Sequence, residues 1–261
     1  FVDYKIVPDP KIDEEIFINH ILELGKEDIT NCPKVIFTTN DEYMIPLSKG
    51  RKKVEKYFVY PFADWNVIKK LTVKSELYNI CEKLKIPFPA THRVFSEKDL
   101  KKLKLKFPIL VKPIFVVDYV RIFKGMKRNV VFENKSELNK YVLNIIKSGY
   151  KGGLLLQEYV KGETENLFTV TSYVGKDGKI KGVSTGYKIK QYPKEAGTIQ
   201  TGFVEFNKKL IEPTQKILSY ANFYGISNTE YKYDPQAREY KLIEVNPRPG
   251  MWNYGSYLSG V

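Results

Sequence analysis

The chain has 261 residues, which is enough to bury a sizeable core and to form one large domain or two modest ones. Its content of 43% hydrophobic and 14% aromatic residues excludes a disordered chain. No apolar run approaches the roughly 20 residues that span a bilayer, and the N-terminal stretch lacks a basic segment followed by an apolar one. We therefore expect a soluble, cytoplasmic protein that does not enter a membrane.

The net charge is +13, from 43 basic and 30 acidic residues. Such a balance suits nucleic acid, an anionic membrane surface or a small anionic substrate, and it is also typical of a lysine-rich surface that only faces water. The densest run, 97–106, predicts a short surface helix leading into a strand, and it lacks the aromatic residues that stack on bases, so nucleic acid is not favoured. Two cysteines and two isolated histidines give little support to a zinc site, a disulfide framework or a histidine-based dyad.

Helix and strand patterns alternate along the first 160 residues. Apolar spacing predicts a helix in "DEEIFINHILELG", ended by Gly25, and "KVIFTTND" at 34–41 predicts a short strand with a polar tip. "KSELYNICEKL" predicts a helix that stops before Pro87. Asn134 or Ser136 would cap the helix in "NKSELNKYVLNIIKSG". Three further strands are predicted at 107–114, 129–133 and 153–160.

Long hairpins are predicted after Gly162. "ENLFTVTSYVGKDGKIKGVSTGYKIKQYP" predicts two strands joined by a Lys-Asp-Gly turn at 176–178. A helix is expected in "KLIEPTQKILSYANFYG", with Gly225 just past its end, and a final hairpin turns at Asp234–Pro235. Segregated helices and strands of this kind predict an α+β fold of two lobes with a cleft between them.

The final hairpin is expected to bring polar side chains together. If it is symmetric about its turn, Glu230 faces Glu244, and alternation along the strand places Asn246 on the face of Glu244. Like charges directly opposite each other are unfavourable unless a cation lies between them. Hard oxygen donors without His or Cys suit Mg²⁺, and Mn²⁺ would bind in the same way. The pattern also fits a solvated sheet face on which Lys232 or Arg238 balances the acids.

The same residues resemble the last active-site motif of the ATP-grasp superfamily, which reads acid, apolar, Asn, Pro, Arg and stands here as "EVNPR". Earlier motifs follow in the superfamily's order: "FPILVKP" resembles its phosphate-binding strand and "LLLQEYVKGETE" its interlobe hinge. The resemblance covers most of the chain and implies two α+β lobes around a nucleotide cleft, preceded by a partial α/β N-terminal domain. The implied boundaries are 1–70 for the partial domain, 71–160 for the small lobe with its linker helix, and 161–261 for the C-terminal lobe with the metal site.

The resemblance implies ATP and Mg²⁺ as cofactors. Glu230, Glu244 and Asn246 would be the metal ligands, and Lys112 would reach the nucleotide phosphates. Lys74 stands where the superfamily often has a lysine before a helix, so it would be a further nucleotide contact or else a surface residue at a helix start.

Further roles are implied for the hinge and for the transferred phosphate. The hinge residues implied to contact adenine or ribose are Gln157, Glu158, Tyr159, Val160 and one of the acids Glu163 and Glu165. Arg248 would stabilise the acyl phosphate and the oxyanion that follows, together with Lys188 or Lys190, which should point the same way on their strand. Trp252 and Tyr254 are expected to pack in the core or between the lobes rather than against substrate.

Within the superfamily, the chain resembles the carboxylate-amine ligase branch that includes D-aspartate ligase, through residues 35–61 and 187–198. This implies an ADP-forming enzyme that activates a carboxylate, an amino acid such as aspartate being one option, as an acyl phosphate and joins it to an amine. Two alternatives remain. One is carboxyphosphate chemistry like that of carbamoyl-phosphate synthases, and the other is a module that binds nucleotide or nucleic acid without catalysis. The implied partners are small-molecule carboxylates and amines, and a homodimer is also compatible with the sequence.

Two departures from the superfamily's pattern matter. Many members have a glycine-rich phosphate loop, whereas "PIFVVDYVRIFKGMKRN" contains one glycine. Arg121, Lys124, Lys127 and Arg128 would supply phosphate donors instead, or face water at a strand turn. The N-terminal lobe is also short, and Val261 closely follows the metal motif, so we expect flanking residues to complete the acceptor site.

Overall fold

The N-terminal part of the chain is a helical unit. The structure is a computed structural model that describes residues 4–27, 32–114, 119, 122–127, 129–192 and 197–261. The helices of this unit are α1 (Glu14–Lys26), α2 (Asp41–Lys49), α3 (Arg51–Val54) and α4 (Trp65–Thr72). The first three pack around buried Phe17, Leu47, Val54 and Phe62, whereas Ile68 of α4 joins the core beneath the large sheet. None of these helices, nor any other within the described ranges, is both long and apolar enough to cross a bilayer.

The strand predicted at 34–41 is wrong. Val35 forms a single parallel bridge to Val59, and no other described residue of this stretch joins a ladder. A strand needs a neighbour for its backbone groups, and Asn40 instead starts α2, because its Oδ1 accepts a first-turn N–H at 2.8 Å. The polar tip "TTND" is therefore the approach to a helix N-terminus.

A four-stranded antiparallel sheet of order β1-β4-β2-β3 forms the small lobe. Its elements, with the preceding helix, are α5 (Lys74–Leu84), β1 (Thr91–Val94), α6 (Glu97–Lys101), β2 (Ile109–Pro113), β3 (Val130–Phe132), α7 (Lys135–Lys147) and β4 (Leu154–Glu158). Ile109 and Val111 are buried with Leu138 of α7, and alternation along β2 places Lys112 on the opposite face. Of the two candidate caps of α7, the cap is Asn134, whose Oδ1 accepts a first-turn N–H at 3.0 Å.

A five-stranded antiparallel sheet of order β7-β6-β5-β8-β9 forms the large lobe. After a 3-10 turn (Thr164–Asn166), its elements are β5 (Leu167–Val174), β6 (Ile180–Tyr192), β7 (Thr198–Val204), α8 (Lys208–Ala221), β8 (Gly225–Asp234), β9 (Glu239–Asn246) and α9 (Trp252–Leu258). The β5–β6 and β8–β9 hairpins confirm the predicted ones. One face packs against α5 and α8 through Leu77, Ile217 and Tyr231, so the site described below lies at the opposite face.

Two expectations in this lobe are wrong. Helix α8 is ended by Asn222, which adopts the left-handed conformation at φ 59°, whereas Gly225 already begins β8. Trp252 is buried as expected, although it also lines the cavity described below, and Tyr254 is 68% exposed. Residues two apart lie on different faces of a helix, so α9 cannot bury both rings against the sheet.

Candidate active site

A cavity of about 1280 Å³ lies between the two sheets. The predicted site residues that line it are Lys74, Lys112, Gln157, Glu158, Tyr159, Val160, Glu163, Lys188, Glu230, Glu244, Asn246 and Arg248. Glu165 and Lys190 are not among its described lining residues. The cavity therefore collects side chains from both lobes, as a binding cleft between lobes requires.

The β8–β9 hairpin places its two acids opposite each other. Glu230 pairs with Glu244 in the ladder, which confirms the predicted register. The turn itself is one residue shorter than a symmetric hairpin needs, since Asp234 pairs with Glu239. A β-bulge at Ile243 makes up the difference; without the bulge, Glu230 would face Ile243.

Two lysines from distant parts of the chain lie against these acids. Lys188 Nζ is 3.4 Å from Glu230 Oε2, and Lys74 Nζ is 3.2 Å from Glu244 Oε2. Both lysines line the cavity, so cations already neutralise part of the charge that the opposed carboxylates create.

The counter-ions considered from the sequence lie elsewhere. Lys232 Nζ is 5.3 Å from the centroid of the Tyr159 ring, and Arg238 is exposed in the β8–β9 turn at φ 55°. Neither forms an ion pair with Glu230 or Glu244 among the described contacts, so the solvated-face alternative does not account for the acids.

The two carboxyl groups have opposite pKa shifts. The Lys74 ammonium holds the pKa of Glu244 well below its usual range, although burial opposes this effect. Burial and the nearby Glu244 charge raise the pKa of Glu230, despite the opposing charge of Lys188. A divalent cation between the acids would favour the ionised form of both.

The donors at this position fit a hard divalent cation. Glu230 and Glu244 offer carboxylate oxygens, and Asn246 lies beside them, with Nδ2 donating to Glu244 Oε1 at 3.0 Å. Within the described residues, no group of three His, Cys, Asp or Glu side chains comes together as a metal site. Two carboxylates and an amide, completed by phosphate and water oxygens, make the kind of donor set that Mg²⁺ accepts.

A directed chain of hydrogen bonds joins the small lobe to this hairpin. Lys112 Nζ donates to Gln157 Oε1 at 2.8 Å, and Gln157 Nε2 donates to Tyr78 OH at 2.9 Å. Tyr78 OH donates to the carbonyl oxygen of Ile243 at 3.2 Å, and Lys74 Nζ donates to the same oxygen at 2.8 Å. Sequence reasoning missed Tyr78, although its position four residues after Lys74 puts both side chains on one face of α5.

Lys112 lies in an environment that disfavours its charge. Burial lowers the pKa of its ammonium group to about 7, and the nearby positive charge of Lys74 acts in the same direction. An anionic group in the cavity would reverse this shift.

Part of the hinge backbone is already used by the protein. The Glu158 N–H donates to Ala90 O at 2.8 Å, and the Tyr159 N–H donates to Pro108 O at 3.0 Å. The Val160 N–H has no hydrogen-bond partner among the described groups, and Val160 lines the cavity. The hinge N–H that remains for a ligand is therefore that of Val160.

The Glu158 side chain is also engaged. Its Oε1 accepts from Lys241 Nζ at 3.0 Å and its Oε2 accepts from Ala90 N at 3.2 Å. Lys241 Nζ lies 2.9 Å from Asp234 Oδ2 as well, so a buried lysine joins the hinge to the β8–β9 hairpin. A structural contact between the lobes accounts for this carboxylate.

A second β-bulge separates the two lysines of β6. Lys188 pairs with Gly202 and Lys190 with Thr201, so β6 carries an extra residue between them. The Lys188 side chain is 7% exposed, whereas Lys190 faces solvent. The expectation that both point the same way is wrong because the bulge interrupts the alternation. Gln191 lines the cavity instead, and its Oε1 accepts from Lys188 Nζ at 3.5 Å.

Arg248 is held by three acceptors. Its Nε donates to Asp41 Oδ1 at 2.5 Å, its Nη2 to Asn246 Oδ1 at 3.4 Å and its Nη1 to Pro249 O at 3.3 Å. Asp41 is the first residue of α2, so the N-terminal helical unit fixes a side chain of the site. Sequence reasoning missed this contact, for which the polar "TTND" stretch was the signal.

The loop after β2 is described only in part. Lys124 and Lys127 are exposed and are not among the residues that line the cavity. Arg121 and Arg128 lie outside the described residues. Phosphate contacts from this loop stay a prediction.

Solved structures of similar fold cover most of this chain. No protein-family model matches the chain. A biotin carboxylase from Campylobacter jejuni matches with a TM-score of 0.69 over 97% of this chain and 56% of that one, at 15% identity. An L-amino acid ligase from Bacillus licheniformis matches with a TM-score of 0.65 over 97% and 59%, at 18% identity. The chain has the ATP-grasp fold.

This ATP-grasp chain also resembles characterised proteins in sequence. It is 27% identical to a D-aspartate ligase from Enterococcus faecium over 263 residues, which cover 97% of this chain and 62% of that protein. It is 28% identical to a carbamoyl phosphate synthase large chain from Clostridium botulinum over 180 residues, 65% of this chain and 15% of that protein. The predicted resemblance to the superfamily and to D-aspartate ligase is confirmed, and the chain spans about 62% of that ligase's length.

Proposed function

We propose that this ATP-grasp chain carries the active site of a Mg²⁺-dependent ligase that joins a carboxylate to an amine and converts ATP to ADP. The observation that carries the proposal is the opposed pair Glu230 and Glu244, which lines one cavity together with Lys112 of the other lobe. The similarity to a D-aspartate ligase over 97% of the chain supports the same chemistry.

The nucleotide would lie across both lobes. Glu230, Glu244 and Asn246 would hold Mg²⁺, which would neutralise phosphate charge and orient the phosphates. Lys112 would bind the same phosphates from the small lobe, and Lys74 would add positive charge beside Glu244.

The hinge would bind the nucleoside. The Val160 N–H is the backbone donor left for the adenine edge, and Glu163, which lines the cavity, is the acid available for the ribose hydroxyls. Glu165 drops out of this proposal because it does not line the cavity.

The reaction would proceed in two transfers. A substrate carboxylate oxygen would attack the γ-phosphorus of ATP, and the bond from that phosphorus to the bridging oxygen would break with ADP as the leaving group. The amine then attacks the carbonyl carbon of the acyl phosphate, loses a proton, and inorganic phosphate leaves with the C–O bond electrons. Such transfers need positioning and charge stabilisation rather than a protein nucleophile.

Arg248 and Lys188 would supply that stabilisation. Both line the cavity, and Arg248 is oriented by Asp41 at its Nε. Arg248 would stabilise the acyl phosphate and the oxyanion, and Lys188 the transferred phosphate. Lys190 faces solvent and has no part in this proposal.

The substrates would be small molecules, and the carboxylate would be an amino acid such as aspartate. The reaction would take place in the cytoplasm, which supplies ATP. The similarity to a carbamoyl phosphate synthase over 180 residues supports a second candidate, phosphorylation of bicarbonate to carboxyphosphate. ATP hydrolysis that depends on bicarbonate and on no amino acid would favour that candidate.

A phosphate-release screen tests the proposal. The full chain is supplied with ATP, Mg²⁺ and paired acids and amines that include D- and L-aspartate. We expect one pair to stimulate phosphate release. Glu244→Gln should lower the turnover by about 100-fold or more, because substitution of residues that only support metal ligands already lowers metal affinity or activity by about 10–100-fold. Glu239→Gln, at the far end of β9, is the matched control and should keep the wild-type rate.

Two outcomes would contradict the proposal. One is the absence of stimulation by every pair. The other is wild-type turnover in both variants, which, together with RNA or DNA binding that depends steeply on salt, would favour a binding module without catalysis.

A further inference from the structure

We propose that the Tyr78 hydroxyl is a positioning group for Lys112, which it ties to the metal-binding hairpin of the opposite lobe through Gln157. The inference rests on the proposed function, because it takes Lys112 as the lysine that meets the nucleotide phosphates. Tyr78 lies two hydrogen bonds away from the Lys112 ammonium group and is not itself a phosphate ligand.

The chain of hydrogen bonds has only one direction. A charged Lys112 can only donate, so the Gln157 atom that faces it must be the amide oxygen. The Gln157 amide nitrogen must then donate to the Tyr78 oxygen, which leaves the Tyr78 proton for the Ile243 carbonyl oxygen at 3.2 Å. Hydrogen bonds aligned head to tail in this way strengthen one another.

Water cannot easily replace these hydrogen bonds. Gln157 is 3% exposed and Tyr78 is 5% exposed, so loss of the hydroxyl leaves a buried amide donor without its partner. The Tyr78 ring stacks on Phe88 with centroids 4.8 Å apart and planes at 12°, a contact that does not involve the hydroxyl. A phenylalanine at 78 would therefore keep the packing and remove only the hydrogen bonds.

The acceptor at the far end belongs to the metal hairpin. Ile243 is the bulge residue of β9, has no partner in the ladder, and directly precedes Glu244. Its carbonyl oxygen accepts from both Tyr78 and Lys74, one turn apart on α5. The bulge that places Glu244 opposite Glu230 thus also supplies the anchor for Lys112, so one backbone irregularity fixes the phosphate lysine and the metal acids relative to each other.

Tyr78→Phe tests this link. We expect about five- to tenfold weaker ADP binding by calorimetry in EDTA, because an amide left without its partner no longer holds Lys112 in place. Adenosine, which carries no phosphate, should bind the variant as well as it binds the wild-type chain. A variant that loses both ligands equally would point to a distorted cavity and overturn the inference.

Tyr231→Phe is the matched control. Its hydroxyl is also buried and hydrogen-bonded, to Thr214 Oγ1 at 3.0 Å, but it lies on the other face of the same hairpin. We expect this control to bind ADP with wild-type affinity. Equal ADP affinity in the two variants would overturn the inference while leaving the proposed function intact, whereas a wild-type chain that binds no ADP even with Mg²⁺ present would contradict the proposed function itself.

A double-mutant cycle tests the route. If Tyr78 acts through Gln157, Tyr78→Phe should weaken ADP binding little further in a Gln157→Ala background. If Tyr78→Phe weakens ADP binding as much in that background as in the wild-type protein, Tyr78 does not act through Gln157, and the inference is overturned.

Discussion

Lys112 carries a charge that depends on what lies beside it. Because burial lowers the pKa of its ammonium group to about 7, the free protein holds an increasing share of neutral amine above that pH. A phosphate favours the charged form, so ADP binding above about pH 7 must take up a proton. We expect the ADP affinity to fall by up to about tenfold per pH unit above that pKa, measured by calorimetry.

Lys112→Arg is the control for this pH dependence. Arginine stays charged throughout the pH range. The ADP affinity of the variant should therefore lose the pH dependence that comes from Lys112 and keep any pH dependence that comes from the nucleotide. Identical slopes in the two proteins would contradict the lowered pKa.

The contact between Asp41 and Arg248 is expected to matter for turnover more than for nucleotide binding. Asp41→Asn removes the charge that holds Arg248 Nε, and because the Asp41 side chain is 42% exposed, solvent limits this ion pair to about 1 kcal/mol. We expect kcat to fall by about fivefold with little change in the KM for ATP. Glu42→Gln is the neighbouring control, since Glu42 pairs with Lys11 on the surface at 2.7 Å. Equal kinetics in the two variants would show that Asp41 does not orient Arg248.

The site residues that could be predicted from the sequence are those that belong to one hairpin, such as Glu230 and Glu244, or to a motif of the resembled superfamily, such as Lys112. Glu230 and Glu244 belong to one hairpin, so their distances from its turn predict that they pair, and the bulge at Ile243 preserves this pair although the turn is shorter. Tyr78 and Asp41 meet their partners across 165 and 207 positions of the chain, and the local patterns around them, the spacing from Lys74 and the polar "TTND" stretch, do not say which distant residue they contact. Tertiary packing brings these residues to their partners.

At the scale of elements, most helices and strands followed from apolar periodicity, and a bulge caused one of the errors. The bulge in β6 turned Lys190 to solvent, which alternation could not predict. The bulge in β9 kept the expected pair, although the turn is shorter than symmetry assumed. The strand prediction for 34–41 was wrong for a different reason: the β-branched residues of this stretch have strand propensity, but they have no neighbouring strand beyond one bridge.

The N-terminus of α7 gives a prediction at this scale. Asn134→Ala should lower the free energy of unfolding by about 1 kcal/mol, because its side chain caps the helix. Ser136→Ala, inside the first turn and exposed, should change it by less than about 0.5 kcal/mol. Urea unfolding of both variants decides between the two caps that the sequence allowed, and a larger loss for Ser136→Ala would contradict the assignment.

For the whole molecule, the net charge of +13 suits substrates that are anions. If long-range attraction gathers ATP and the acid, kcat/KM should fall several-fold between about 0.05 and 0.5 M salt, where screening shortens from about 14 to 4 Å. The turnover at saturation should change little, since bound substrates are screened less. Capture rates that do not respond to salt would show that the charge serves only solubility.

The cavity of about 1280 Å³ has a consequence for kinetics. It exceeds the roughly 300–1,000 Å³ of a site for one small ligand, and its lining runs from the hinge through the paired acids to Arg248. The volume leaves room for all three reactants of the proposed ligase at once, so we expect no product to be released before the last reactant enters. Double-reciprocal plots of initial rate should give intersecting lines for each pair of substrates, whereas parallel lines would mean that a half-reaction releases its product first.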